Sequence, residues 1–321
     1  WRILNEDFAE GYQKALNGEK IVLQDKTNSF KDWGAYLEYQ AQSEMLQEEL
    51  QYWKQIERAD IKVLPADSEC SEESNKLKQF KRVDIEFSEE ETEALLKDSN
   101  RAYHTEINDL LLTALGLTIR EWTSEEQLLI NLEGHGREKL EGDIDISRTI
   151  GWFTTHYPVL LTMRNDKQLS YSLKNVKETL RQVPNKGIGY GILKYLGEGT
   201  SIEKVKPQIN FNYLGQFDEK FKNEIFELSS LAGGSSISSE AESLFEIDIN
   251  GTVSNRKLGF TFAYNSHKYN ETTIRKMAEA YKHHLQTIVL HCINKNSVEL
   301  TPSDYSANDL NIEELEDLTG K

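Results

Sequence analysis

The sequence predicts an α+β (mixed α/β) fold built on one sizeable sheet. Three features predict it: segments of apolar–polar alternation, long stretches with apolar residues at helical spacing, and no strict strand–helix–strand rhythm of the kind a doubly wound sheet imposes.

Residues 2–18 read as an amphipathic helix with Ile3, Phe8, Tyr12 and Leu16 near one stripe and Gly18 as a stop. A longer helix is predicted from about Phe30 to Ile56, where Leu46, Leu50, Trp53 and Ile56 recur at helical spacing. Pro65–Asn75 is polar and aperiodic, a linker or exposed crossover between two lobes. Phe80–Phe87 alternates as a half-buried strand does. Ser88-Glu-Glu-Glu91 is a capping box that opens a helix through Leu96.

Thr105 is expected to cap the next helix, whose apolar set (Ile107, Leu110, Leu111, Leu112, Leu115, Ile119) implies burial on most sides. Leu128–Leu132 is a short apolar strand that runs into Glu133-Gly-His-Gly-Arg-Glu138. Further strands are predicted at Tyr157–Met163, Gln208–Tyr213, Leu244–Val253 and Leu258–Tyr264. A final helix starts near Asn270, with Ile274, Met277, Tyr281, Leu285 and Ile288 on one face. No internal repeat or low-complexity tract interrupts this order.

Composition excludes several function classes. The 321 residues carry 54 acidic against 37 basic side chains, a net charge of −17. That balance argues against a nucleic-acid groove, which needs clustered Lys and Arg. Two cysteines, Cys70 and Cys292, are too few for a disulfide framework and suit a reduced, cytoplasmic setting. No apolar run approaches the ~20 residues that span a bilayer, so no membrane role is expected. The start, Trp1-Arg-Ile-Leu-Asn-Glu6, has neither an initiator Met nor a signal-peptide pattern and reads like the interior of a longer chain.

Glu133–Glu138 is the segment richest in chemistry. A carboxylate ends an apolar strand, and two glycines flank His135. Beside apolar neighbours Glu133 would be pushed above the ordinary ~4.3 of a glutamate, toward a proton acceptor useful near neutral pH. Spacing alone leaves open a plainer reading: a loop carboxylate paired with Arg137, with His135 filling space. Ser147–Pro158 concentrates Trp152, Phe153, Tyr157, a glycine and a proline, fit either to line a channel for a bulky substrate or to pack a core crossover.

Three other patterns carry no chemistry. Gly187-Ile-Gly-Tyr-Gly191 misplaces its third glycine for a dinucleotide loop and follows a helical pattern, Leu173–Leu180, so a turn is expected there. His283 and His284 point about 100° apart on a helix, and His291 is seven residues further on, so no metal site is predicted. The Gly-x-Ser-x-Gly elbow of hydrolases is absent.

Taken together, these segments resemble the epimerization domains of nonribosomal peptide synthetases. Glu133–Glu138 matches that family's EGHGRE motif at every position. Asp145–Pro158 resembles D-x-S-R-T-V-G-W-F-T-x-x-Y-P with Ile150 for the usual Val, Pro184–Tyr195 resembles P-x-x-G-x-G-Y-G, and Phe211–Asp218 is similar to F-N-Y-L-G-Q. Thr301-Pro-Ser-Asp304 and the acidic Leu310–Leu318 stretch look like the usual end of such a domain.

The resemblance implies a chloramphenicol-acetyltransferase-like lobe, a mixed sheet flanked by helices, at 76–321. Residues 1–75 would be the closing helices of a preceding lobe, and a carrier's phosphopantetheine arm would enter where the lobes meet. It implies epimerization of Cα in an aminoacyl or peptidyl thioester, as a step in antibiotic biosynthesis. Glu133 would be an acid/base, and Asn212 or Tyr213 would donate to the enolate oxygen or form a buried polar pair. His135, Arg137 and Arg148 would orient the site, and Trp152 and Phe153 would line the tunnel or pack. No cofactor is bound directly; the substrate is tethered to a phosphopantetheine. The implied partners are an upstream peptidyl carrier domain and adjacent synthetase domains.

The superfamily's H-H-x-x-x-D-G motif has no match here, because His283-His284 lacks the Asp-Gly. It is expected upstream of Trp1, and residues 1–321 alone are expected to be inactive. Two rivals remain: a condensation domain of the same fold, which usually reads G-x-F-V-N-T-L-P where this chain has Gly151–Pro158, and a non-catalytic lobe that only docks a carrier.

Overall fold

The alternating segments pair into a single six-stranded sheet in the computed structural model, which describes residues 1–319 apart from 69–74, 139, 198–201, 203–205, 217–224, 226–230, 232 and 306–309. Its strands are β1 (Phe80–Glu86), β2 (Gln127–Gly134), β3 (Thr155–Thr162), β4 (Ile209–Gln216), β5 (Ile247–Ser254) and β6 (Lys257–Asn265), in the order β1-β6-β5-β4-β2-β3. β2 runs parallel to β4 and β4 parallel to β5, and the remaining pairs are antiparallel. The sheet is therefore mixed, and each of the six expected strand segments contributes a strand to it.

The helices are α1 (Arg2–Leu16), α2 (Phe30–Gln40), α3 (Glu44–Glu57), α4 (Glu89–Glu93), α5 (Ile107–Thr123), α6 (Leu169–Arg181), α7 (Ile188–Leu196), α8 (Glu271–Asn294) and α9 (Ile312–Thr319). Period-two alternation sends Ile130, Leu132, Ile209, Phe211, Ile247, Ile249, Phe260 and Phe262 to one face of the sheet, where all are buried. That face is covered by α5 and α8, which pack on each other. α5 is buried continuously from Asp109 to Ile119, as its broad apolar set requires, and α8 buries Ile274, Met277, Tyr281, Leu285 and Ile288. Each such side chain removed from water is worth about 1.5–3 kcal/mol. Trp33, Leu46, Trp53, Ile56 and Leu64 join the same apolar cluster.

Several local expectations are corrected. The long helix over 30–56 is two helices: Gln42 and Ser43 donate back to Tyr39 and Gln40, closing α2, and the Ser43 hydroxyl accepts from Leu46 N to open α3. In α1 only Ile3 is buried, and Phe8, Tyr12 and Leu16 are exposed. The cap of α5 is Glu106, reciprocally bonded with Asp109, while Thr105 hydrogen-bonds Asn100.

Gly187 to Gly191 is not a simple turn. Gly187, at φ +82°, caps α7, and Gly189 and Gly191 lie inside that helix. A Cβ on Gly187 would stand 2.2 Å from the Tyr157 ring, so the position demands glycine for space as well as for conformation. Residues 69–74 of the expected linker, Cys70 included, and Phe217-Asp218 lie outside the described residues.

Candidate active site

The sheet face turned away from α5 and α8 is polar, and cross-strand register assembles it. One row across the sheet reads Arg82, Ala263, Asp248, Asn210, Asn131 and Pro158. The next brings Asp84, Thr261, Asn250 and Asn212 to one side and Glu133 opposite His156 on the other. Hydrogen bonds join the two rows: Asn210 Nδ2 donates to Glu133 Oε1 at 3.0 Å, and Asn212 Nδ2 to Glu133 Oε2 at 2.9 Å.

Glu133 thus sits at the end of β2 with each carboxylate oxygen held by a neutral amide. The side chain is half-buried, and its surroundings are carboxamides rather than the expected apolar neighbours. The plainer alternative fails on geometry, because Arg137 does not pair with Glu133. Its guanidinium donates to the carbonyls of Ile146 and Thr149 and lies 3.9 Å from the Phe153 ring centroid. Burial lowers its pKa from the ordinary arginine value.

Behind Glu133 the polar network continues. Asn131 Nδ2 donates to Asn210 Oδ1 at 2.6 Å and lies 3.0 Å from His156 Nδ1, while Asn210 Nδ2 also donates to Asp248 Oδ1 at 2.9 Å. Burial first, and the Glu133 charge among the remaining causes, raises the Asp248 pKa. Sequence reading missed Asn131, His156, Asn210 and Asp248. The available signal was period-two spacing, Asn131/Glu133, Asn210/Asn212 and Asp248/Asn250, each pair directed to one face of its strand.

The other expected site residues divide. Asn212 is in the cluster, but its amide holds the carboxylate. Tyr213, one residue on, faces the helices, packs on the core and neighbours Tyr281 of α8; burial raises its pKa. Asn212 and Tyr213 therefore lie on opposite faces of β4, and the pairing expected of them is not formed.

His135 is exposed, with Nε2 3.0 Å from Glu138 Oε1 and Nδ1 accepting from Arg137 N. Gly136 between them has φ +66°, and a Cβ there would fall 1.5 Å from the Phe153 carbonyl oxygen, so only glycine lets these two segments close. Arg148 pairs with Asp7 and Glu6 and ties α1 to the loop after β2. Phe153 is buried against Phe30 and Trp33, a packing residue, whereas Trp152 is 81% exposed. Among the described residues no three His, Cys, Asp or Glu side chains converge as a metal-binding group, and no helix is long and apolar enough to cross a membrane.

Comparison with known proteins places this arrangement. The condensation-domain family model matches residues 1–311. Gramicidin S synthase 1 of Brevibacillus brevis is 46% identical over 334 residues, covering 99% of this chain and 30% of that protein. Surfactin synthase subunit 2 of Bacillus subtilis is 43% identical over 318 residues, covering 99% of this chain and 9% of that protein. The chain thus spans less than a third of these curated relatives.

The crystal structure of the epimerization domain from the third module of tyrocidine synthetase B superimposes with a TM-score of 0.85 at 41% identity, covering 92% of this chain and 67% of that one. The condensation domain of Monacolin K polyketide synthase, 15% identical with a TM-score of 0.65 over 90% of this chain and 67% of that one, shares the fold. The chain belongs to the condensation-domain family, with the mixed chloramphenicol-acetyltransferase-like fold of its epimerization domains.

Proposed function

We propose that this member of the condensation-domain family inverts Cα of an aminoacyl or peptidyl residue held as a thioester on a carrier domain's phosphopantetheine. The observation that carries the proposal is the Glu133 carboxylate: it is held by two amides, bears no ion pair with Arg137, and lies on a polar sheet face that is not closed by the helix layer.

The chemistry follows from the thioester. Its carbonyl acidifies the neighbouring Cα–H, because the electron pair left by proton removal delocalises onto the carbonyl oxygen. Glu133 takes the proton in forming the enolate, and a proton returned to the opposite face completes inversion. A guanidinium partner would hold the carboxylate ionised and make it a poorer proton acceptor, and Arg137 is engaged elsewhere. Asn210 and Asn212 fix both oxygens and so orient the base.

The opposite-face group, or an enolate stabiliser, would come from the family's H-H-x-x-x-D-G motif, which residues 1–321 lack. The isolated chain is therefore proposed to be inactive. Trp152, exposed next to the buried Phe153, is proposed to meet the incoming acyl chain. Arg137 and Arg148 act further out, pinning the 146–153 loop. The partners proposed are an upstream peptidyl carrier domain and adjacent synthetase domains, in the cytoplasm, on a route to a peptide antibiotic.

The test uses a synthetase module that contains this chain and its L-aminoacyl carrier domain. Thioester hydrolysis followed by chiral chromatography should give D-residue from the parent and L-residue alone from Glu133→Gln. Inversion by that variant at the parent's rate, or peptide-bond formation by the parent without inversion, would overturn the proposal.

A further inference from the structure

We infer that Asp248, on β5, is a positioning residue for Glu133 that acts through the shared amide of Asn210. This rests on the reading of Glu133 as the proton acceptor.

Asn210 is buried and fully engaged. Its Nδ2 donates one hydrogen to Glu133 Oε1 at 3.0 Å and the other to Asp248 Oδ1 at 2.9 Å, while its Oδ1 accepts from Asn131 Nδ2 at 2.6 Å. The orientation of the amide is fixed by chemistry. A flipped Asn210 would aim its carbonyl oxygen at two carboxylates and its NH2 at the NH2 of Asn131. Removal of either carboxylate weakens the preference, so Asp248 helps hold the donor that Glu133 uses.

No Lys or Arg side chain forms an ion pair with Asp248 among the described residues, so its charge is not cancelled by a direct partner. The charged or titratable groups on its sheet face are Glu133 on β2, His156 on β3, Arg82, Asp84 and Glu86 on β1, and Lys257 on β6, which pairs with Glu86 at 3.0 Å. In the rows of Asp248 and Asn250, β4 and β6 present the neutral Asn210, Asn212, Thr261 and Ala263. Of these groups, Glu133 raises the Asp248 pKa after burial itself, and His156 lowers it. Asp248 therefore acts on Glu133 by orientation, through the Asn210 amide that both carboxylates share.

The experiment compares Asp248→Asn, Asp248→Ala and Glu133→Gln in a module holding this chain and its L-aminoacyl carrier domain, each with a melting-temperature check. Asp248→Asn keeps an acceptor for Asn210 and removes only the charge. It should keep kcat within a few-fold of the parent. Asp248→Ala, which releases the amide, should lower kcat by about tenfold or more with an unchanged KM, so that Asn rescues what Ala loses.

A role confined to stability would lower the melting temperature of Asp248→Ala while the folded fraction kept the parent's kcat, and would overturn the inference. An inactive Glu133→Gln beside an Asp248→Ala whose kcat and KM match the parent would overturn the inference alone. An active Glu133→Gln would overturn the reading of Glu133 and this inference together.

Discussion

The two faces of the sheet are made by alternate residues of the same strands and do opposite work. On one, Ile209, Phe211, Ile247 and Ile249 are at most 2% exposed under α5 and α8. On the other, Asn210, Asn212, Asp248 and Asn250 stand between them in sequence and form, with Asn131 and Glu133, a hydrogen-bonded layer. The apolar face specifies the fold through non-directional burial, which tolerates some repacking. The polar face specifies one geometry, because each amide has a fixed pattern of donors and acceptors.

A second contrast sharpens the point. Glu49 is also held by neutral donors, Asn185 Nδ2 at 2.6 Å and Trp53 Nε1 at 3.1 Å, but it is 5% exposed in the helix layer and Gly189 presses against it. The same chelation makes a structural carboxylate in one place and an accessible one in the other. Access, rather than hydrogen bonding, separates the two.

The largest effect expected is on the polar face. Glu133→Gln should lower epimerization by about 10³-fold, the contribution of a positioned acid/base, with an unchanged melting temperature. Phe262→Ala, on the apolar face, should do the reverse: a loss of about 3–5 kcal/mol by denaturant titration, with Cα exchange surviving in the folded fraction. Asn212→Ala removes one donor to Glu133 and should lower kcat by roughly tenfold to a hundredfold through misplacement of the base. Tyr213→Phe alters a hydroxyl on the helix side of the same strand, and steady-state kinetics should show the smaller loss of the two.

Glu49→Gln should leave the chemistry intact and change only the pH dependence of stability. Burial raises the Glu49 pKa, against the opposing hydrogen bonds from Asn185 and Trp53. Its stabilising contribution is present below the unfolded value and is lost as pH rises through the folded one. The variant's melting temperature should therefore gain on the parent's as pH is raised from acid to neutral.

What the sequence disclosed follows the range of the interaction involved. Phe80–Phe87 and the faces of α5 and α8 were legible because local periodicity reports burial. Glu133 was legible through its motif and its place at a strand end. The break between α2 and α3 was hidden because apolar spacing runs through it, although Ser43-Glu44 carries a capping signal. Asn131, Asn210 and Asp248 each look like ordinary polar alternation within a strand. Only the register of β2 on β4 on β5, a non-local property, gathers them. The opposite orientations of Asn212 and Tyr213 were available from alternation alone, but the shared motif drew both toward one role.

The central claim is that Glu133 moves the α-proton, and hydrogen exchange at Cα tests it without waiting for net inversion. A synthetase module that contains this chain, with its carrier loaded with the L- or the D-aminoacyl thioester, is placed in deuterated buffer and deuterium at Cα is followed by mass spectrometry. The parent should incorporate deuterium from both starting configurations, and Glu133→Gln should lose exchange from at least one of them by about 10³-fold. Exchange from both configurations at the parent's rate in that variant would contradict the account.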